Sequence, residues 1–339
     1  MTKGIVVSVV MPIYNEENYI KKCIDSLILQ DYPIDKMEWI LVDGCSKDKT
    51  VEILEVYRQK YPQLIKILNN PYKIVPFAMN IGIAASQGKY IVRLDAHAEY
   101  ATDYISKCVY YLETTDAENV GGVAVTKANG FWGKTIAKML SSKFGVGNSQ
   151  FRTNGESGYV DTVPFGAFRR EVFTKYGGYD ERLIRNQDNE MNFRIRKNGG
   201  KIYLANDIHT AYYCRDSVDG VLAMARKNGM WNVITMKLCP GSMGLRHFIP
   251  LLFVLSVICL SVFGCLHGAF WGLLAAELFL YFLLACLFSA KQAETAKEFL
   301  ALVLLYPAFH FSYGIGSVMG IVALCKKEFR NNKYKNKIL

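Results

Sequence analysis

The sequence predicts an α/β domain, doubly wound around a mostly parallel sheet, followed by α-helical membrane segments. Three observations predict it. Short apolar runs alternate with helical periodicities over the first hundred residues, polar and acidic residues stand where those runs end, and the composition changes near residue 246. Residues 1–246 mix charged, polar and apolar positions, 247–325 are dominated by Leu, Phe, Ala, Val and Ile, and 326–339 form a basic tail. Those three ranges are the expected domains.

The run at 5–11 is continuously apolar, as in a strand buried on both faces. Tyr19, Ile20, Cys23, Ile24, Leu27 and Ile28 then recur at helical spacing after a polar start at 15–18. A second strand is expected at 39–42, a loop at 43–50 and a helix at 51–60. A third strand follows at 64–68, a helix at 76–85 closed by Gly88, and a fourth strand at 90–94 that ends on Asp95. A further apolar run occupies 120–125. Residues 128–160 are rich in Gly, Ser and Asn without a clear period, which reads as an active-site loop or an irregular surface excursion. Helices are expected at 169–176 and 187–197, and a strand at 201–204.

Three apolar segments, 248–266, 269–290 and 299–325, each reach the roughly 20 residues needed to cross a bilayer. Pro307, Gly314, Gly316 and Gly320 interrupt the third. Of the net charge of +10 on 339 residues, +5 falls in 326–339, directly after an apolar segment. That placement favours anionic lipid headgroups over nucleic acid as the partner of the basic charge. Three crossings would put this tail on the side opposite the N-terminal domain, against the tendency of Lys and Arg to stay cytoplasmic, so one segment is expected to be interfacial or re-entrant. The nine cysteines show no CxxC pair and no zinc-ligand spacing, so they read as reduced, small apolar residues. The apolar run at 5–11 is too short for a secretory signal and is stopped by Pro12, which leaves the N-terminal domain expected in the cytoplasm.

Ligands of doubly wound sheets bind beyond the carboxyl ends of strands, where Tyr14, Asp43 and Asp95 fall. Asp43 heads the loop Asp43-Gly44-x-Ser46-x-Asp48-x-Thr50, and its carboxylate suits an imide N–H such as that of uracil. The same residues also read as a turn with a helix cap at Thr50. In Asp95-Ala96-His97 both side chains lie within reach of one divalent ion, a carboxylate with an imidazole suiting Mn2+ and oxygen ligands Mg2+; an ordinary turn is the other reading. Asp188 starts a helix, where a general base and a simple response to the helix dipole are both open.

Taken together, Pro12-Ile13-Tyr14-Asn15-Glu16, the 43–50 loop, Asp95-Ala96-His97 and Gly177-Gly178-Tyr179-Asp180 followed by Gln187-Asp188 resemble glycosyltransferase family 2 over residues 5 to about 235. Asp-Ala-His in place of Asp-x-Asp, with an apolar C-terminal region, is similar to the succinoglycan-type exopolysaccharide subgroup. The resemblance implies a GT-A fold, the Rossmann-like nucleotide-diphospho-sugar transferase domain. It implies that Pro12, Tyr14 and Asp43 line the nucleobase site, that Asp95 approaches the ribose or diphosphate, that His97 takes a metal-ligand place and that Asp188 is the general base. Glu16 and Asn80 would border the donor site. His209 would add a metal contact, as a histidine does in several GT-A enzymes, or serve structurally.

The implied reaction is inverting transfer from a UDP-sugar, UDP-glucose being the example, to a polyprenyl-diphosphate-linked saccharide in exopolysaccharide or capsule assembly. A divalent cation, Mn2+ or Mg2+, is the implied cofactor. Membrane lipids and other polysaccharide-assembly enzymes are the implied partners, nucleic acid is not, and the place is the cytoplasmic face of the cell membrane. His97 and Gln187 depart from the family pattern. The Gln-x-x-Arg-Trp motif of processive synthases is not matched, because Arg226 and Trp231 stand at a different spacing, which favours addition of one sugar. Arg226 and Trp231 would border the acceptor or diphosphate, or pack against the apolar segments. Two other functions stay open: a polyprenyl-phosphate sugar synthase and a catalytically inactive nucleotide-sugar-binding subunit.

Overall fold

In the computed structural model, which describes residues 4–153 and 155–325, the first strand β1 (Val7–Ile13) takes the centre of the sheet because nearly every side chain on both its faces is apolar. Helix α1 (Ile20–Ile28) buries Ile20, Cys23, Ile24 and Leu27 at helical spacing. There follow β2 (Met37–Asp43), α2 (Thr50–Lys60), β3 (Ile65–Asn69), and α3 (Val75–Ala85), whose Pro76 lies in the first turn where its missing N–H costs no bond. Next come β4 (Tyr90–Arg93), β5 (Ala98–Tyr100), α4 (Tyr104–Thr114) and β6 (Asn119–Lys127). Beyond them lie α5 (Gly130–Leu140), α6 (Lys143–Val146), β7 (Gly158–Tyr159), β8 (Ala167–Arg169), α7 (Glu171–Tyr176), α8 (Gln187–Lys197) and β9 (Ile202–Tyr213). The chain ends in four longer helices, α9 (Val218–Leu238), α10 (Ile249–Gly264), α11 (Ala269–Gln292) and α12 (Ala296–Cys325).

Among the described residues the strands form one nine-stranded sheet in the order β3-β2-β1-β4-β8-β6-β9-β5, with β7 on β9. The β3, β2, β1 and β4 ladders are parallel, whereas β8 is antiparallel to both β4 and β6. The expected mostly parallel sheet is therefore parallel only in its first half, and β8, β5 and β7 pair antiparallel beyond it. Strands β5, β7 and β8 have two or three residues each, too few to show a period in the sequence. β1 and β4 are neighbours although β2 and β3 lie between them in sequence, so the strand order reverses beside β1 and opens a crevice at the carboxyl ends of these two strands.

Contacts divide the chain into two units, Met1–Val125 with Asn154–Tyr213, and Thr126–Thr153 with Cys214–Leu339. The first holds most of the sheet. In the second, the stretch expected to be irregular at 128–160 contains α5, whose Ile136, Met139 and Leu140 pack with Val221, Ala225, Leu302, Leu305, Tyr306 and Phe309. This short apolar stripe is diluted in the sequence by Gly and Lys, and it becomes a helix by packing. α12 runs without a break through Pro307, which was expected to interrupt it. In a helix this apolar and this closely packed, the one hydrogen bond that Pro removes is tolerated. Among the described residues, Leu245–Gly264, Ala269–Gln292 and Ala296–Cys325 are long and apolar enough to cross a membrane. Glu277, the single acidic residue within the first two, bonds to Ser256 of α10, and His310 of α12 finds Tyr281 of α11 at 2.8 Å. The basic tail lies outside the described residues.

Candidate active site

The loops that leave β1 and β2 are stapled to each other by their own motif residues. Asn15 N donates to Ser46 Oγ at 2.9 Å, Glu16 N to Thr50 Oγ1 at 2.8 Å and Glu17 N to Asp48 Oδ2 at 3.1 Å. In return Lys47 N donates to Asn15 Oδ1 at 2.8 Å and Lys49 N to Glu17 Oε2 at 3.0 Å. The loop donors and acceptors, left over where the ladders end, are thus satisfied pairwise. Asn15 (φ 54°) and Cys45 (φ 60°) take left-handed backbone to make the exchange. Asp48 also accepts from Thr50 N at 3.0 Å. Burial raises its pKa more than any one of these hydrogen bonds lowers it, but together they outweigh burial and hold the pKa below the ordinary aspartate value.

Asp43 ends β2 with 7% of its surface exposed, and its carboxylate accepts from Ser46 N at 3.1 Å. The turn reading and the ligand reading of Asp43 are compatible, since a carboxylate has about four acceptor sites and this bond uses one. Tyr14 is 42% exposed. A Cβ at Gly44 would come within 3.3 Å of both the Tyr14 ring and the Ile13 carbonyl, so a larger residue there would press on the ring by a few tenths of an ångström. Pro12 lies past the β1–β4 ladder, which ends at Val10 opposite Arg93.

On the other side of the crevice, Asp95 is fixed by its backbone. Its N–H donates to the Tyr100 hydroxyl at 2.7 Å, and that hydroxyl donates to the Asp95 carbonyl at 3.1 Å. His97 Nδ1 stands 3.1 Å from Glu16 Oε1, which joins this loop to the one after β1. A proton on Nδ1 shared with Glu16 puts the imidazole lone pair on Nε2, the arrangement in which a carboxylate orients a histidine toward a metal. Among the described residues no three His, Cys, Asp or Glu side chains form a ready-made cage.

Asp188 lies in the first turn of α8, and it is ion-paired to Arg93 of β4. The same guanidinium reaches Asp95 Oδ1 at 3.3 Å, so one buried cation bridges two carboxylates. Burial is the largest single influence on Arg93 and lowers its pKa, but the Asp95 carboxylate together with the Tyr179 and Tyr100 hydroxyls outweighs it, so the pKa is raised. The middle of α8 is anchored by a buried amide chain. Asn119 Nδ2 donates to Asn192 Oδ1 at 2.7 Å, and Asn192 Nδ2 donates to Thr162 Oγ1 at 2.8 Å. Asn186, just before the helix, is left-handed at φ 62°.

The structure thus brings Asp43, Glu16, His97, Asp95 and Asp188 into one bonded path, with Pro12 and Tyr14 beside it. Asn80 stands apart from that path. Its amide donates to Tyr179 O and Glu181 Oε1, both at 3.0 Å, and accepts from Tyr179 N at 2.8 Å, so it holds the turn that leads to α8. His209 is not brought to His97: on β9 it lies beyond Thr210, the partner of Tyr100, whereas His97 adjoins the other end of that pairing, at Ala98 opposite Tyr212. The separation is roughly 13 Å along the strand at about 3.3 Å per residue. Arg226 packs its backbone on Gly316 in the helical unit, and Trp231 is buried on α9. Sequence reading missed Arg93 and Tyr100. Arg93 left a signal, a lone charge in the apolar run 90–94, whereas Tyr100 left none.

The sequence profile described as Glycosyl transferase family 2 matches residues 8–177. A Methanococcus voltae protein named dolichyl N-acetyl-alpha-D-glucosaminyl phosphate 3-beta-D-2,3-diacetamido-2,3-dideoxy-beta-D-glucuronosyltransferase is 25% identical over 93% of this chain and 97% of its own length. The succinoglycan biosynthesis protein ExoA of Rhizobium meliloti is 30% identical over 61% of this chain and 63% of its own. Among solved structures, a mannosyltransferase of Pyrobaculum calidifontis in complex with GDP-Man and Mn2+ superposes with a TM-score of 0.63 at 18% identity, covering 92% of this chain and 86% of that one. That likeness is one of fold, and the fold is the GT-A arrangement the motifs implied. The profile spans half of the chain and takes in β1, β2 and β4 with the loops that form the bonded path, and on that evidence the protein is a glycosyltransferase belonging to glycosyl transferase family 2.

Proposed function

We propose that this enzyme moves a sugar from a UDP-sugar, UDP-glucose being the first candidate, to a polyprenyl-diphosphate-linked saccharide. The step belongs to exopolysaccharide or capsule assembly at the cytoplasmic face of a membrane. The observation that supports the reading is the bonded path from Asp43 to Asp188, which ties together the carboxylates read here as serving the nucleotide and the acceptor. Tyr14 offers a ring face to the nucleobase, Asp43 accepts its imide N–H, and Asn80 borders the donor through the turn it holds. Asp95 and His97 would hold a divalent cation, with Glu16 orienting His97; two protein ligands suit an ion whose other positions belong to phosphate oxygens and water. When bound, that ion supplies charge neutralisation for the departing diphosphate.

Asp188 takes the proton of the acceptor hydroxyl. The acceptor oxygen bonds to the anomeric carbon from the face opposite the diphosphate as the carbon–oxygen bond to the diphosphate breaks, and the nucleoside diphosphate leaves. Configuration inverts, so an α-linked donor gives a β-linkage. Arg93 holds the base without blocking it, because its charge is shared with Asp95. A lipid-carried acceptor is supported by the Methanococcus voltae relative, whose name places its acceptor sugar on a dolichyl phosphate and whose match runs through the apolar helices. The GDP-Man and Mn2+ of the Pyrobaculum structure support a nucleotide-sugar donor and a cation as classes, and make GDP-sugars a necessary comparison.

The test is turnover of UDP- and GDP-sugars by detergent-solubilised protein on membrane lipid extract, with and without Mn2+, for wild type and Asp188→Asn. Cation-stimulated transfer to lipid-linked saccharide, reduced at least about a hundredfold by the substitution, is expected. Label on bare polyprenyl monophosphate would instead identify a sugar-phosphate synthase. Donor binding with no turnover on any acceptor would identify a binding subunit.

A further inference from the structure

Of the three helices able to cross a membrane by length and composition, α12 is unlike the other two in how its sides are used. α9 runs parallel to it in close backbone contact. A Cβ at Gly229 would lie 2.0 Å from the Tyr313 carbonyl, one at Gly316 2.1 Å from the Arg226 carbonyl, and one at Gly320 2.7 Å from the Met230 carbonyl. α5 covers the earlier turns, where Lys138 Nζ reaches Glu298 at 2.7 Å and Glu294 at 3.1 Å. The opposite side is bare towards both ends, where Leu300, Leu304, Ile315, Met319 and Val322 are 47–68% exposed and fall within an arc of about 100°, and between them Phe311 packs on Phe253 of α10.

α9 carries Arg226 and Lys227, both exposed, level with Gly316. If α12 stood across a bilayer with its middle at the bilayer centre, that level would lie roughly 8 Å from the centre, inside a hydrocarbon half-thickness of about 15 Å. Two exposed cations on a helix pressed against α12 would then face acyl chains, where ionised side chains are strongly disfavoured. With α12 in the membrane plane, the conflict disappears. α5 and α9 then cover its aqueous side, and the bare stripe dips into the acyl boundary.

From 249 to 290, α10 and α11 carry no exposed charge. They form an antiparallel hairpin, Gly264 packing on Trp271, Ser256 bonding to Glu277 and the Phe253 ring stacking on Tyr281 at 4.6 Å. Glu277 is the only charged residue between 249 and 290. The hairpin meets α12 near its base, at Pro250 and Val254 against Gly314 and at Tyr281 against His310. Towards the turn it is exposed and apolar, at Leu255, Ile258, Val262 and Phe263 on one arm and Trp271, Leu273 and Phe279 on the other.

We propose that the hairpin α10–α11 alone enters the bilayer and returns, that α12 lies in the membrane interface with its Leu300–Val322 stripe on lipid, and that the chain on either flank of these helices shares one side of the membrane. The basic 326–339 segment then stays with the N-terminal part beside anionic headgroups, as the distribution of Lys and Arg in membrane proteins favours. The inference does not depend on the donor or the acceptor.

The test uses the full-length chain in sealed cells and a membrane-impermeant maleimide mass tag. Cys23 and Cys108 are completely buried and stay in place, and the other cysteines are replaced except Cys325, which is exposed at the end of α12. A second version keeps no exposed native cysteine and carries Lys227→Cys. Both are expected to remain untagged on intact cells and to tag on disruption without detergent. Tagging of Cys325 on intact cells would establish three crossings and overturn the proposal. Failure of the Lys227→Cys protein to tag after disruption would place α9 in lipid and overturn it equally.

Discussion

Arg93 joins both halves of the chemistry, and its substitution separates a charge effect from a packing effect. Arg93→Met leaves Asp95 and Asp188 without their shared cation. Both carboxylates reach solvent, with side chains 20% and 33% exposed, so they can be rehydrated. The stability loss is therefore expected at about 1–3 kcal/mol, the range for an unsatisfied buried polar group, and not the larger value for a buried pair cut off from water. Turnover is expected to fall further than this, by about a hundredfold, because the base loses its position. Arg93→Lys, which keeps one cation but not the two-armed fork, is expected to restore stability more than turnover. Denaturant midpoints and kcat for the three proteins check this; equal losses in both quantities for Met and Lys would contradict the positioning role.

At the scale of elements, the loops after β1 and β2 behave as one piece because each satisfies the other's backbone. Thr50→Val removes the acceptor of the Glu16 N–H while keeping the shape of a residue with no exposed surface. About 1–2 kcal/mol of stability is expected to be lost, and nucleotide binding is expected to weaken because Glu16 no longer holds His97 in place. Thermal melting with and without nucleotide measures both; unchanged nucleotide stabilisation would show that the loop is held by its other bonds. Much of this was legible. The 43–50 motif announced a loop and Asp43 a strand end, but the bonds between 15–17 and 46–50 join residues about thirty apart, and spacing within one motif carries no information about a partner in another. The short strands β5, β7 and β8 were hidden for a related reason: two or three residues acquire strand geometry from their neighbours.

At the scale of the molecule, the parallel half of the sheet carries a buried acid whose ionisation is tied to folding. Glu38 of β2 accepts from Ser8 Oγ and Lys66 Nζ, each at 2.7 Å, and from Gln87 N at 2.5 Å. Burial raises its pKa, but these three donors together outweigh burial and leave it below the ordinary glutamate value. A lowered folded-state pKa means that the stabilisation is fully present above the unfolded value of about 4.3 and is lost as pH falls through the folded value. Acid unfolding of the sheet unit is therefore expected to begin below about pH 4 and to move to higher pH when Lys66→Met removes one donor. Circular dichroism against pH reads the midpoint; no movement in the variant would remove Lys66 from the account.

The sequence by itself determined the order of strands and helices through residue 94, the acidic strand ends, Asp188 at the start of a helix and the three apolar segments, because each depends on local periodicity or on a motif with its own chemistry. Tertiary structure decided what those residues face. It bridged Asp95 and Asp188 through Arg93, set Glu16 against His97, turned Asn80 to the 178–181 loop and kept His209 apart. It also folded 130–140 into a helix on α12 and laid α9 along that helix. Periodicity reports which way a residue points from its own element, whereas a bridging cation, a carboxylate behind a histidine or a charged helix pressed on an apolar one is set by elements far apart in the chain.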